Sequence, residues 1–222
     1  MHETTKANSL VLLSGGQDST TCLYWALQEF GSAVALTFDY QQRHRVELEC
    51  AQQVARLAGV PQITLPINTF PALGSNALNE AIPIRVNQET GLPNTFVPGR
   101  NLIFLTFAAA YAYPRGIRNL VIGVSQIDYS GYPDCRESSL KTLQQALCLG
   151  LNYEISIHTP LIHLSKKEII ALATRLGAFP VFALTHTCYL GQQPPCGECP
   201  ACRIRAQGFA AAGVSDPLLF SI

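Results

Sequence analysis

Apolar residues in this chain fall into short unbroken runs, separated by longer stretches where they recur every three or four positions. The runs occupy 10–13, 33–38, 62–67, 120–124 and 154–158. The three-to-four periodicity occupies 19–30, 43–58, 99–113, 136–150 and 165–176. Runs that are apolar throughout predict strands buried on both faces, and the periodic stretches predict helices. Their strict alternation predicts an α/β fold: a doubly wound, Rossmann-like parallel sheet with helices on both faces and ligands beyond the carboxyl ends of its strands. The stretch 70–98 breaks the rhythm with several prolines and glycines and with Asn76, Asn79 and Asn94. Its apolar Leu73, Leu78, Ile82, Ile84 and Val86 argue against disorder, so a lid or dimer element is expected there.

The first run opens directly into Ser14-Gly15-Gly16-Gln17-Asp18-Ser19 and then a helical pattern starting Thr20-Thr21-Cys22-Leu23. A glycine pair between strand and helix lets an anion approach backbone N–H groups with no Cβ in the way. The free N–H groups and the positive dipole end of the helix point the same way. Ser14, Ser19 and Thr20 add hydroxyl donors. No lysine follows the glycines, which excludes the G-x-x-x-x-G-K-[ST] loop. The stretch instead resembles the SGGxDS loop of enzymes that cleave ATP between its α and β phosphates. The alternative is a tight turn with Asp18 as helix N-cap. The nucleotide-binding stretch is expected to run from Leu13 through Leu23.

Other polar clusters also follow strands. After the second run, Asp39 is either a ribose contact or a helix cap, and Arg43, His44 and Arg45 resemble the solvated start of a helix. Pro98 and Gly99 introduce a helix whose first turn carries Arg100 and Asn101, with Arg100 either near the phosphates or in solvent. The run 125–136 is dense in aromatic, hydroxyl and charged residues. There Tyr129 and Tyr132 can wall in a planar ring, Asp128 or Asp134 can accept from ring N–H groups, and Arg136 can grip a carboxylate. Asp134 also reads as an N-cap and Tyr129 as a core residue. Ser165 and Glu168 form a capping box, which projects Lys166 toward the phosphates and leaves Lys167 to solvent.

Composition narrows the class. The chain has 222 residues, with 15 Lys+Arg against 15 Asp+Glu. A zero formal charge favours a small-molecule substrate over a polynucleotide. No apolar run approaches the ~18 residues of a membrane helix, and residues 1–9 lack the layout of a signal peptide, so a cytoplasmic location is expected. Of the 8 cysteines, Cys188, Cys196, Cys199 and Cys202 form C-x7-C-x2-C-x2-C. Four thiolates at this density suit one closed, structural zinc site, with an iron–sulfur cluster as the lesser alternative. Cys22, Cys50 and Cys148 are expected to pack inside helices, while Cys135 lies in the substrate run. The chain thus divides into an ATP-binding α/β unit, 1–180, and a cysteine-bearing segment, 181–222, packed on it.

Taken together, SGGQDSTTCL, FDYQQRH, PNTFVPGRN, DYSGYPDCR, TPL with Lys166, and the four-cysteine array resemble the 7-cyano-7-deazaguanine synthase family of the PP-loop ATP pyrophosphatases, from about Leu10 to about Gly208. The resemblance implies an adenine nucleotide α-hydrolase-like fold and a homodimer. It also implies a ligase that converts 7-carboxy-7-deazaguanine, ammonia and ATP with Mg²⁺ to the 7-cyano product. Lys166, Arg100 and Asp18 would then serve catalysis, and Tyr129, Tyr132, Asp134 and Arg136 would hold the base. A tRNA thiolase of the same superfamily would need a basic surface, and a zinc-knuckle binding protein would not need polar loops at several strand ends. One residue departs from the pattern: Gln41 stands where the family more often has glycine, which speaks against a glycine-type backbone conformation there.

Overall fold

A computed structural model describes residues 7–42, 45–73, 82–83, 85–126 and 132–220. Among these residues five parallel strands form one sheet: β1 (Ser9–Leu12), β2 (Ala33–Asp39), β3 (Gln62–Pro66), β4 (Asn119–Val121) and β5 (Ser156–His158), in the order β3-β2-β1-β4-β5. Among the described residues six α-helices accompany them: α1 (Gln17–Phe30), α2 (Val46–Leu57), α3 (Arg100–Ala112), α4 (Glu137–Leu151), α5 (Lys166–Arg175) and α6 (Pro200–Ala212).

The unbroken apolar runs are explained by burial on both sides. In β1, Leu10 and Leu12 enter one core with Leu36, Phe38 and residues of α3 and α4. Val11 and Leu13 enter the other core with Ala33, Ala35 and residues of α1, α2 and α5. The register pairs Leu12 with Leu36 and Val11 with Val121. The chain leaves β1 toward β2 and later returns to its other side as β4, so the loops after β1 and β4 diverge. That reversal opens a crevice where doubly wound sheets bind ligands.

The pattern-based boundaries hold to within a few residues, and local chemistry sets them. Gly31, with φ of 74°, closes α1 by donating its N–H to the Leu27 carbonyl. The Ser165–Glu168 capping box opens α5 as expected. Cys22, Cys50 and Cys148 lie within α1, α2 and α4. The described residues of the stretch 70–98 are tied down by specific contacts. Phe70 is buried and packs edge-on against Tyr40 and Phe104. Asn94 ties the segment together, accepting from the Arg85 N–H at 2.9 Å and donating to the Pro83 carbonyl at 2.9 Å. Asn76 and Asn79 lie outside the described residues.

Two expectations need correction. Helix α6 was not anticipated, because its buried face consists of Cys202, Arg205, Gly208 and Phe209. That face has a helical spacing, but Arg205 and Gly208 interrupt its apolar positions. Arg205 can be buried because four of its five N–H donors are engaged. It pairs with both oxygens of Asp216, at 2.6 and 2.8 Å, and donates to Thr185 Oγ1 at 2.8 Å and the Phe182 carbonyl at 3.1 Å. Gln41, expected to be ordinary, has φ of 61°. The left-handed turn is kept without glycine, and the Gln41 N–H donates to Asp39 Oδ1 at 3.3 Å.

Candidate active site and metal centre

The loop after β1 builds a polar cavity of about 260 Å³. Gly15, with φ of 85°, lies so close to α2 that a Cβ there would sit 2.3 Å from the Glu47 carbonyl oxygen. Gly16 is the extended N-cap of α1 and has no side chain to occupy the helix end, so the N–H groups face the cavity. Ser19 Oγ accepts the Ser14 N–H at 3.2 Å and lies 3.1 Å from Ser14 Oγ, which fixes both hydroxyls at the rim. Across the cavity, Lys166 Nζ contacts Asp18 Oδ2 at 2.5 Å. Asp18 Oδ1 and Gln17 Oε1 are buried with no hydrogen-bond partner. Two unsatisfied hard oxygens beside an anion cradle fit a hard cation such as Mg²⁺.

The sequence motif therefore splits along its length. Ser14, Gly16, Gln17, Asp18 and Ser19 line this cavity, and Leu13 lines its neighbour. Thr20 and Thr21 are fully buried, and their hydroxyls turn back onto the Gly16 and Gln17 carbonyls at 2.9 and 2.8 Å. Cys22 and Leu23 belong to the core beneath the sheet.

A second cavity of about 300 Å³ opens at the carboxyl ends of β1, β2 and β4. Its walls include Phe38 stacked on Phe104, with centroids 4.3 Å apart, together with Tyr40, Tyr132 and Tyr189. Tyr132 is fixed by a 2.7 Å hydroxyl contact with Thr95 and by the neighbouring Phe96 ring. A flat slot of this kind suits a planar heterocycle. Arg100 Nη1 lies 3.5 Å from the Tyr40 hydroxyl.

The two cavities meet. Ser14, Ser19, Glu47, Arg100 and Tyr189 line both. Glu47 comes from the first turn of α2, and burial pushes its carboxyl up to about 7 even though the Arg100 guanidinium pulls it down. Burial also raises the Tyr189 phenol, as does the nearby Tyr132. Burial tends to discharge Arg100, but the surrounding Tyr40, Tyr132, Tyr189 and Asp134 outweigh it and keep the guanidinium charged.

Other anticipated residues lie elsewhere. Asp134 is buried, and its Oδ2 accepts the Asn101 N–H at 2.9 Å, so it caps α3 from outside the helix. Asp39 pairs with Arg45 at 2.5 Å. Arg136 is exposed at the start of α4 and lines neither cavity. Cys135 does line the aromatic cavity, with Asn101 Nδ2 donating to its Sγ at 3.2 Å. Tyr129, Asp128, Arg43 and His44 are outside the described residues. Glu47, Tyr40 and Tyr189 escaped sequence reading. Only position marks them: Tyr40 and Glu47 follow the end of a strand, and Tyr189 is adjacent to a metal-type cysteine.

The sulfur atoms of Cys188, Cys196, Cys199 and Cys202 all lie within 4.8 Å of one another. The Cys196–Cys202 separation is 3.9 Å, against about 3.8 Å for a tetrahedron with metal–sulfur bonds of ~2.3 Å. The N–H groups of Glu198 and Cys199 donate to Cys196 Sγ at 3.4 and 3.3 Å. Burial opposes thiolate formation at Cys196, but these donors and the neighbouring thiols bring it down to about 7. The cluster can bind a metal, and its four thiols are enough to fill a tetrahedral shell.

Similarity to known proteins extends over nearly the whole chain. The family model described as "Queuosine biosynthesis protein QueC" matches residues 8–213. A 7-cyano-7-deazaguanine synthase of Chromobacterium violaceum is 59% identical over 224 residues, covering 99% of this chain and 96% of that protein. The synthase of Laribacter hongkongensis is 58% identical over 215 residues, covering 96% and 94%. Among solved structures, the NMN synthetase of Francisella tularensis shares the fold at 13% identity, with a TM-score of 0.55 over 95% of this chain and 79% of that one. Given a match from Asn8 to Gly213 and the motifs it contains, this chain belongs to the QueC family of queuosine biosynthesis proteins.

Proposed function

We propose that this chain joins 7-carboxy-7-deazaguanine and ammonia, at the expense of ATP, to make 7-cyano-7-deazaguanine. The observation that carries this reading is the meeting of the two cavities: an anion cradle opens onto a flat aromatic slot, with Arg100 lining both. A carboxylate is a poor electrophile, so the reaction needs it activated by attack on the α phosphate of ATP. The 14–19 loop and the first turn of α1 bind the departing pyrophosphate through backbone N–H groups and hydroxyls. Lys166 and Arg100 offset the charge that develops as it leaves. Mg²⁺ would be held by Asp18 Oδ1 and Gln17 Oε1 and would neutralise phosphate charge.

Phe38, Phe104, Tyr40 and Tyr132 hold the heterocycle so that its carboxylate faces the α phosphate. Ammonia then displaces AMP to give an amide, and a second activation, now of the amide oxygen, permits loss of that oxygen and leaves the nitrile. We assign Arg100 the role of steering the substrate carboxylate and place Asp134 behind it, as the residue that fixes the first turn of α3.

The cysteine cluster is proposed to hold one structural Zn²⁺, since a closed, all-thiolate tetrahedron suits that ion. The segment 181–222 then acts as a cap on the 1–180 unit. Among the described residues no helix is long and apolar enough to cross a membrane, which supports a cytoplasmic enzyme. The exposed Phe107 of α3 and Leu149 of α4 support pairing of two copies, and the zero net charge supports a small molecule rather than tRNA as substrate.

Mass spectrometry of a reaction with ATP, Mg²⁺, an ammonium salt and 7-carboxy-7-deazaguanine tests the reading. The expected result is a base lighter by the change from acid to nitrile, with AMP formed alongside. An unchanged base under conditions where the protein binds ATP would overturn it.

A further inference from the structure

Building on the reaction proposed above, each nitrogen step has to release a proton, and the two cavities meet around few groups able to take it. Of the five described side chains that line both, Arg100 is a cation and cannot accept a proton. Ser14 and Ser19 are hydroxyls already engaged with each other at 3.1 Å. Tyr189 has its phenol raised by burial and remains protonated at neutral pH. Among the described residues, Glu47 is the one carboxylate that lines both cavities.

We propose that Glu47 is a catalytic residue, the proton acceptor for ammonia addition and again for release of the nitrile. In the first event the ammonia nitrogen bonds to the acyl carbon and the carbon–oxygen bond to AMP breaks. AMP leaves with the electron pair, and one N–H proton passes to the Glu47 carboxylate. In the second, the amide begins with two N–H protons; one is released to water as its oxygen is adenylated, and the activated imidate carries the other. Glu47 removes that proton while the carbon–oxygen bond to AMP breaks and its electrons go with AMP, so a third carbon–nitrogen bond forms. Between the two events the carboxyl returns its proton to water. No oxidant or further reactant is needed.

The setting suits the task. Glu47 stands in the first turn of α2, behind Gly15, whose missing side chain lets the phosphate loop press against this helix. The groups that face it are Arg100 from α3, Tyr40 from the end of β2, Tyr189 from the cysteine segment, and Cys50 one turn along its own helix. Arg100 favours the carboxylate, burial disfavours it, and the balance near 7 places the group where a general base is most effective.

The test separates activation from nitrogen chemistry. Glu47→Gln keeps the shape and removes the base. Pyrophosphate exchange into ATP, driven by the 7-carboxy substrate without ammonia, is expected to stay within about threefold of wild type. Formation of the amide, and of the nitrile from added amide, is expected to fall about 100- to 1,000-fold. Retained exchange shows both that the variant is folded and that the substrate assignment stands, so loss of exchange in the wild type itself would instead indict the proposed reaction. A parallel measurement needs no variant. At fixed free-ammonia concentration, wild-type kcat/KM should fall as pH drops below about 7, because Glu47 becomes protonated. Nitrile formation by Glu47→Gln within threefold of wild type would overturn the proposal. So would an equal loss of exchange and nitrogen chemistry, or a flat pH profile at fixed ammonia.

Discussion

The two adjoining cavities are built by opposite means. The proposed phosphate cavity is centred on one contiguous segment, 14–19, whose backbone is aimed by a strand on one side and a helix on the other, with Glu47, Arg100, Lys166 and Tyr189 closing it. The aromatic cavity is collected from far apart: Phe38 from β2 and Tyr40 just past its end, Phe104 from α3, Tyr132 from the loop before α4, and Tyr189 from beside Cys188. A local device works wherever its strand–turn–helix can form. A collected one depends on every element that delivers a wall, including the cysteine segment. Damage to the first should therefore stay local, whereas damage to the second should spread.

The largest effect is expected where both cavities hang from one support. Tyr189, which lines both, follows directly on Cys188, and α6 begins at the knuckle and crosses α5 so closely that a Cβ on Gly208 would sit 2.7 Å from the Lys166 Cβ. The cysteine cluster thus positions a wall residue and, through α6, the lysine of the phosphate cavity. Cys196→Ser should release the bound metal, abolish measurable synthesis and lower Tm on the order of 10 °C. Metal analysis by mass spectrometry, a melting curve and the nitrile assay check this together. Metal loss with activity intact would break the comparison by showing that the tail is a mere appendage.

Lys166→Ala should cost less and cost it on one side only. Its ammonium lies in the phosphate cavity against Asp18, so substrate-driven pyrophosphate exchange should drop about 100- to 1,000-fold. Binding of the 7-carboxy base, measured by calorimetry without nucleotide, should stay within about threefold. A parallel fall in base affinity would mean that the cavities are one coupled site.

The same contrast decides what could be read from the sequence. The alternation of runs and periodic stretches carried the sheet, its two cores and the crevice at the strand ends, because each follows from side chains a few positions apart. The phosphate loop, Lys166 in its capped first turn, and the cysteine array were legible for that reason. Glu47, Tyr40 and Tyr189 were not, since nothing near them in the chain states what they face; only the folded crossing of α2, α3 and the cysteine knuckle brings them to Arg100. Asp134 and Arg136 show the converse. In sequence they belong to the densest polar run, but Asp134 turns inward to cap α3 and Arg136 outward to solvent. Composition places functional residues in a loop without saying which way each one points.

The smallest effect concerns the turn that delivers Tyr40. Gln41 holds φ of 61°, while Gln42 folds back so that its Oε1 accepts the Tyr40 N–H at 3.0 Å. A non-glycine residue in this region costs roughly 1–2 kcal/mol. Replacing it by glycine recovers that strain but adds freedom to the unfolded chain, worth about 0.5–1 kcal/mol in the other direction. The Gln41 Nε2–Asn68 Oδ1 contact, exposed and long at 3.3 Å, offsets little of this. Gln41→Gly should therefore raise stability by about 0.5 kcal/mol, or 1–2 °C in Tm, whereas Gln41→Ala should lower it, since it keeps the strain and loses the contact. Both should leave the KM for the 7-carboxy base unchanged, because the backbone and not the Gln41 side chain sets the angle of Tyr40. A rise in KM for the alanine variant alone would mean that the side chain also holds the wall in place, and that the aromatic cavity is fragile even at its most local joint.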